Sequence, residues 1–139
     1  MDAHALVAEV LVQFRAGEED RAFFALLHTS PGLQCALQEA FRLEKDAHVR
    51  AFLVKVLWEQ RDPAVLSLLA SALGDRNAEV WKEALNGLVT LASPHALDIL
   101  GDALREPISG RAEHDKFGAW VSEAIDQVKE ALRGQGQAV

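Results

Sequence analysis

The sequence predicts an all-α fold, a right-handed superhelical α-solenoid of about three to four stacked helix pairs. The first supporting observation is a tandem repeat, since Pro31, Pro63 and Pro94 open segments whose apolar residues recur with periods of 32 and then 31 residues. The second is the step of three and four residues between those apolar positions, which is the spacing of one helix face. Because one helix pair cannot cover its own apolar face, successive pairs must stack and share a core.

Residues 1–30 are predicted to form an N-terminal capping pair of helices, because they lack the proline-framed pattern of the later segments. Asp2 is a suitable N-cap for the first helix. An acidic run, residues 18–20, lies at the start of the second helix, where the helix dipole favours negative charge, so it needs no functional role. Phe23 and Phe24 are expected on the core face of that helix.

Three repeats follow, each with a capping side chain in front of a proline. The predicted repeats are residues 31–61, 62–92 and 93–133. Ser30, Asp62 and Ser93 can cap helices whose first residue is proline, and the missing proline N–H has no helical partner at that position. The predicted apolar stripes of the second helices are Val49, Leu53 and Leu57, then Val80, Ala84 and Leu88, then Trp120, Ala124 and Val128.

The last repeat contains an insertion. Its two helices are separated by more residues than those of the earlier repeats, which places the insertion within residues 106–114. Insertions in repeats form loops on one edge, as tolerated surface loops or as part of a binding edge. The last helix is predicted to begin between Asp115 and Gly118 and to end at Arg133, followed by a flexible tail, residues 134–139.

Composition narrows the classes of partner. The formal net charge is −7, and no segment forms a basic stripe, so nucleic-acid binding is not expected. A protein with a positively charged surface is the more natural partner. No apolar run approaches the ~20 residues of a membrane span, and the N-terminus does not fit a secretory signal. We therefore expect one soluble, cytoplasmic, monomeric domain, residues 1–133.

The residue types that carry chemistry are not arranged for it in the sequence. No two of the five histidines are spaced to share a helical face, so no metal site is expected. The glycines form no phosphate-binding loop, so no nucleotide cofactor is expected. The single cysteine, Cys35, is interpreted as a small buried residue. The sequence therefore predicts a protein that is not an enzyme and holds no cofactor.

Residues 62–92 resemble a HEAT repeat. The family signature is a leucine-rich first helix, an aspartate in the turn, then a valine, a basic residue, and an alanine and a leucine at helical spacing. The matching residues are Asp75, Val80, Ala84 and Leu88. Trp81 stands where the family usually has arginine, whereas the preceding repeat keeps a basic residue, Arg50.

The resemblance implies a scaffold whose second helices line a concave surface that holds a partner protein. Small free-standing proteins of this kind also look like immunity proteins that neutralise toxins. Two alternatives remain open. One is an accessory or lyase-type protein acting on a chromophore or a modified protein, and the other is a nucleic-acid-binding solenoid.

The predicted binding surface is the solvent face of the second helices, which should lie side by side along the stack. Trp81 is interpreted either as a partner contact or as a core residue, whereas Trp120 takes a valine position and is assigned to the core. The predicted protein-binding residues are Lys55, Glu59, Trp81, Lys82, Glu83, Asn86, Glu123 and Asp126. The resulting hypothesis is a non-enzymatic protein-binding module, in its most specific form an immunity or antitoxin-like protein. Its interface is either the concave face or the 106–114 loop.

Overall fold

The computed structural model describes residues 2–27, 31–105 and 114–136, and these residues confirm the all-α prediction. They form eight α-helices and one short 3-10 helix, with no strand among them. The helices are α1 Ala3–Arg15, α2 Glu19–Leu26, α3 Pro31–Leu43, α4 Ala47–Glu59, α5 Leu66–Leu73, α6 Ala78–Leu91, α7 Pro94–Arg105 and α8 His114–Gly134. The 3-10 helix, Pro63–Val65, leads into α5.

The helices pair along the chain and stack in two layers. Within pairs, α1 packs on α2, α3 on α4, α5 on α6 and α7 on α8. Successive pairs meet through second helices, α2 with α4, α4 with α6 and α6 with α8, and also through first helices, α1 with α3 and α5 with α7. The second helices therefore form one continuous layer, as a solenoid requires. The right-handedness of the stack stays a prediction.

Side-chain caps begin several helices at the predicted residues. The Asp2 carboxylate accepts a hydrogen bond at 2.8 Å from the backbone N–H three residues later. Asp62 accepts one at 2.9 Å from the N–H two residues later, and Ser93 accepts one at 3.1 Å from the N–H three residues later. Each such cap stabilises a helix by roughly 1 kcal/mol. Ser30, the remaining predicted cap, lies outside the described residues.

Two of the three predicted apolar stripes are buried as predicted, and the third differs at one position. The predicted core residues of α4 and α6 are all buried, namely Val49, Leu53, Leu57, Val80, Ala84 and Leu88. In α8, Ala124 and Val128 are buried as predicted, but Trp120 is 43% exposed and Val121 is fully buried. The assignment of Trp120 to the core was wrong, because Val121 takes its place in the buried stripe of α8, between Phe117 and the correctly predicted Ala124.

Two further residues assigned to the core lie at the surface. Phe24 is 70% exposed, because Ala22 and Leu26, one turn apart on the eight-residue helix α2, occupy the core face. Cys35 is exposed as well, since its neighbours Leu33, Ala36 and Leu37 turn toward the core. Both corrections have the same cause, because neighbouring residues on a helix point in different directions.

The end of the chain agrees with the predicted last helix. The helix α8 begins at His114, one residue before the predicted start, and ends at Gly134, one residue after the predicted end. The predicted insertion at 106–114 lies outside the described residues, apart from His114. Gln135 and Gly136 form a turn after α8, and residues 137–139 lie outside the described part of the chain.

Candidate functional site

A groove opens on the second-helix layer where α2, α4 and α6 adjoin, with a volume of about 330 Å³. We call it the α2–α4–α6 groove. Its lining residues are Phe14, Glu19, Asp20, Phe23, Phe24, His48, Ala51, Phe52, Lys55, Glu79 and Glu83. Spacings of three and four residues, as between His48, Phe52 and Lys55, place these side chains on the same face of each helix.

Aromatic rings form the base and one side of the groove. The rings of Phe14 and Phe52 stack with centroids 4.1 Å apart, and both residues are buried. Phe23 and Phe24 meet edge to face at 5.5 Å, and Phe24 projects into solvent. Exposed phenylalanine is costly in water, so this wall offers apolar contact area to a ligand.

His48 bridges two carboxylates across the groove. Its Nδ1 donates to Glu79 Oε2 at 2.6 Å, and its Nε2 donates to Glu19 Oε2 at 3.0 Å. The hydrogen bond to Glu19, followed by that to Glu79, raises the pKa of His48 from 6.5 to about 9. His48 is therefore an imidazolium at neutral pH, and it ties α2 to α6 through α4.

Substituting His48 by glutamine should remove a pH dependence of stability. Because the folded-state pKa is raised, the His48 contribution is fully present below pH 6.5 and is lost as the pH rises through about 9. Between these values the wild type should lose stability relative to H48Q in urea unfolding, less so at high salt, since the side chain is 54% exposed. Parallel stability curves, with the NMR midpoint of His48 near 6.5, would contradict the bridge.

Lys55 and Glu83 complete the groove. The Lys55 ammonium lies 5.0 Å from the centroid of the Phe23 ring, within the range of a cation–π contact. Glu83 Oε1 accepts a hydrogen bond from the indole N–H of Trp58 at 2.8 Å, which orients its carboxylate. Asp20 makes no hydrogen bond or ion pair within the described residues.

The electrostatic balance of the groove is negative. Four carboxylates, Glu19, Asp20, Glu79 and Glu83, face two cations, ionised His48 and Lys55, which leaves a net charge of −2 at neutral pH. Negative charge beside aromatic faces attracts cations, because carboxylates and ring faces both carry negative potential. The arrangement therefore suits a cationic ligand with some apolar surface.

The predicted binding residues divide between two grooves. Lys55 and Glu83 line the α2–α4–α6 groove, whereas Asn86 and Glu123 line a second groove of about 370 Å³ between α6 and α8. Lys82 lies beside the second groove, with its ammonium 4.8 Å from the centroid of a Trp120 ring. Half-buried Glu59 and exposed Asp126 line neither groove.

Trp81 does not belong to the binding surface. It is 0% exposed, and its ring meets Phe117 edge to face at 5.0 Å and Trp120 at 6.1 Å. A fully buried indole cannot contact a partner directly, so its inclusion among the binding residues was wrong. Trp120, which was assigned to the core, lines the second groove instead.

Where the family pattern has a basic residue, the preceding repeat has Arg50 and this repeat has Trp81. Both residues join neighbouring repeats, but through different contacts. Arg50, at the equivalent position, donates hydrogen bonds to Asp75 at 2.5 Å and to the Lys45 carbonyl at 3.1 Å. Since Asp75 lies in the turn of the next repeat, this ion pair joins two repeats. One repeat later, Trp81 joins α6 to α8 through aromatic contacts instead.

Several residues of the α2–α4–α6 groove were missed in the sequence. Glu19 and Asp20 were assigned to dipole stabilisation alone and Phe24 to the core, and His48 was not assigned to any site. One signal was present, because His48 and Glu79 are 31 residues apart, as are Val49 and Val80, the equivalent apolar residues of the same two helices. Equivalent positions of stacked repeats lie side by side, so this spacing predicts their contact.

Two other classes of site are absent from the described residues. They include no group of three or more histidine, cysteine, aspartate or glutamate side chains arranged to hold a metal ion. Among the described helices, none combines the length and the apolar character of a membrane span.

The repeated helix pairs match a known sequence family. A family model described as HEAT repeats matches residues 36–114, from within α3 to the first residue of α8. No curated protein and no solved structure matches the chain. Because the matched segment covers more than half of the 139 residues, and the structure is helical throughout its described part, the chain belongs to the HEAT-repeat family.

Proposed function

We propose that this protein is a non-enzymatic protein–protein interaction module that binds a partner with a basic surface through its second-helix layer. HEAT repeats are generally protein-interaction scaffolds. The α2–α4–α6 groove is the centre of the proposed interface, with Lys55 and Glu83 as its predicted members.

The observation that supports this function best is the combination of charge and exposed aromatic surface in one groove. Four carboxylates and the exposed Phe24 line the same groove, so apolar contact area and negative charge are available together. Complementary charge speeds encounter with a basic partner and selects against acidic ones. A buried aromatic anchor then supplies much of the binding energy. The overall charge of −7 favours the same class of partner.

The geometry of His48 favours binding over proton transfer. A histidine between two carboxylates resembles an acid–base arrangement, but both ring nitrogens of His48 already donate hydrogen bonds. With a pKa of about 9, its imidazole is protonated at neutral pH and cannot act as a general base there. The three groups therefore form a structural bridge that shapes the groove.

The most specific form of the proposal is an immunity- or antitoxin-like protein that acts as a monomer and masks a basic partner. It predicts that the partner is harmful when produced alone and harmless when both proteins are produced together. If the captured partner is harmless when it is produced alone, the immunity- or antitoxin-like form is wrong. The protein would then be a general adaptor.

Capture from the native host tests the proposal. The groove variant combines Asp20→Lys with Phe24→Ser, which alters two exposed residues of α2. The matched control combines Asp98→Lys with Val12→Ser, which makes the same types of change at exposed positions of the first-helix layer. Proteins retained by the wild type are identified by mass spectrometry, and the best candidate is purified for calorimetry.

We expect a basic partner that the control retains and the groove variant loses, while circular dichroism shows both variants folded at the temperature of the assay. A small drop in the melting temperature of the groove variant is expected, because Asp20 lies in the first turn of α2. Its affinity should fall as the ionic strength rises, because exposed charges are screened over about 8 Å at physiological salt. Equal binding by the two variants, or an acidic partner insensitive to salt, would place the interface elsewhere.

A further inference from the structure

The cations that the chain itself places in the α2–α4–α6 groove indicate what a partner would insert there. Ionised His48 lies between Glu19 and Glu79, and the Lys55 ammonium lies over Phe23. The paired carboxylates thus already bind a positive charge of the chain itself, and so does the face of the Phe23 ring. From this we infer that the groove is a receptor for a single arginine side chain of the partner, which displaces Lys55 from Phe23. This inference rests on the function proposed above.

The size of the groove suits one side chain. Its volume of about 330 Å³ lies near the lower end of the range of roughly 300–1,000 Å³ found for small-ligand pockets. An extended arginine side chain fits within such a space. The partner would present that arginine on a loop or at the end of a helix.

The chemistry of the lining favours arginine over lysine. A planar guanidinium can stack on a phenylalanine ring and at the same time donate hydrogen bonds from its edge to carboxylates. The groove offers the ring of Phe23 and, on the same short helix, the Asp20 carboxylate. A lysine ammonium is more strongly hydrated and forms no planar stack, so it should bind more weakly.

Lys55 provides a direct test of the inference. If a partner arginine displaces Lys55, replacing Lys55 by a neutral residue should tighten and not weaken the binding of arginine. The Lys55 ammonium is exposed and, among the described residues, its charge contacts only the Phe23 ring, so a partner arginine can move it into solvent. Replacing Lys55 by glutamine removes a competing positive charge and should tighten the binding of an arginine ligand. A surface built for an acidic ligand would respond in the opposite direction.

An NMR titration of the full chain with a short peptide tests the inference. The probe is a glycine–arginine–glycine peptide with blocked ends, compared with peptides carrying lysine or citrulline at the same position. Citrulline has nearly the shape of arginine but no charge. We expect the arginine peptide to shift the amide signals of Phe23, Phe24 and His48, the lysine peptide to bind more weakly, and the citrulline peptide to leave them unchanged.

Three variants test the assignment to named residues. Asp20→Asn should weaken binding of the arginine peptide about threefold, and Lys55→Gln should strengthen it about threefold, as expected for exposed charge pairs. Asp98→Asn, an equal change of charge on the first-helix layer, should leave it unaltered. Equal shifts with citrulline, shifts confined to residues outside the groove, or weaker binding by K55Q would overturn the inference.

The two proposals can fail separately. If the arginine peptide does not bind while a basic partner is captured by the wild type and lost by the groove variant, the arginine receptor is wrong and the interface stands. If the peptide binds in the groove but capture of the partner is insensitive to the groove variant, the groove binds arginine, but the proposed interface is wrong and that arginine does not come from the captured partner.

Discussion

Replacing Trp81 by alanine should destabilise the protein by about 4 kcal/mol, which is typical of removing a fully buried large aromatic side chain. Trp81 is 0% exposed and lies at the junction of α6 and α8, where it contacts Phe117 and Trp120 edge to face. Alanine would leave a cavity in the core that joins the last repeat to the rest. The midpoint of urea unfolding, followed by far-UV circular dichroism, measures the loss.

Trp120→Ala is the matched control for this prediction. Trp120 is 43% exposed and lines the second groove, so its loss should cost only about 2 kcal/mol of apolar burial, roughly half the cost at Trp81. The family resemblance alone would rank the two residues in the opposite order, because Trp120 takes a core position of the repeat and Trp81 a surface position. Equal losses, or a larger loss for Trp120, would contradict the structure at this junction.

Replacing Gly87 by alanine should destabilise the protein by about 2 kcal/mol, since an added methylene in a well-packed contact typically costs 1–3 kcal/mol. A Cβ atom at Gly87 would lie 2.8 Å from Trp58 Cγ and 2.9 Å from Trp58 Cβ. These atoms are close to the backbone of α4, so a side-chain rotation cannot relieve the clash, and α4 and α6 must separate. The separation would also disturb the hydrogen bond between Trp58 and Glu83.

The same substitution at Gly101 shows that the effect comes from the clash. An alanine in place of a helical glycine normally stabilises a helix by about 1 kcal/mol. At Gly101 in α7, the nearest atom to an added Cβ is Arg105 Nη1 at 3.7 Å, the end of a flexible side chain. Gly101→Ala should therefore stabilise the protein slightly, while Gly87→Ala destabilises it. A stabilising effect at both sites would show that α4 and α6 approach less closely than described.

The elements of the fold were predictable because their determinants are local. The cap hydrogen bonds of Asp2, Asp62 and Ser93 reach only two or three residues along the chain, so the sequence shows both partners. The apolar stripes of α4 and α6 have the period of a helix face, and two matching stripes align each repeat on the next. Periodicity of this kind specifies which helices pair before any long-range contact is known.

The candidate site was only partly predictable, because it joins residues from three helix pairs, the capping pair and the first two repeats. Lys55 and Glu83 were expected on the solvent face, and they line the groove. His48 and Glu19 could not be paired from local spacing, since their contact depends on how α2 is placed against α4. The contact of His48 with Glu79 could have been predicted from the sequence, because their separation is one repeat period.

The sequence by itself determined that this protein is a stack of helix pairs with an acidic surface, since helix caps, apolar period and charge are properties of short segments. Only the tertiary structure decided which residues beside each stripe are buried. A step of one residue turns a side chain by about 100° around the helix, as at Trp120 and Val121, so repeat alignment cannot distinguish core from rim there. Packing against neighbouring helices decides which side chain is buried. At Phe24 this packing leaves an aromatic ring exposed in the acidic groove.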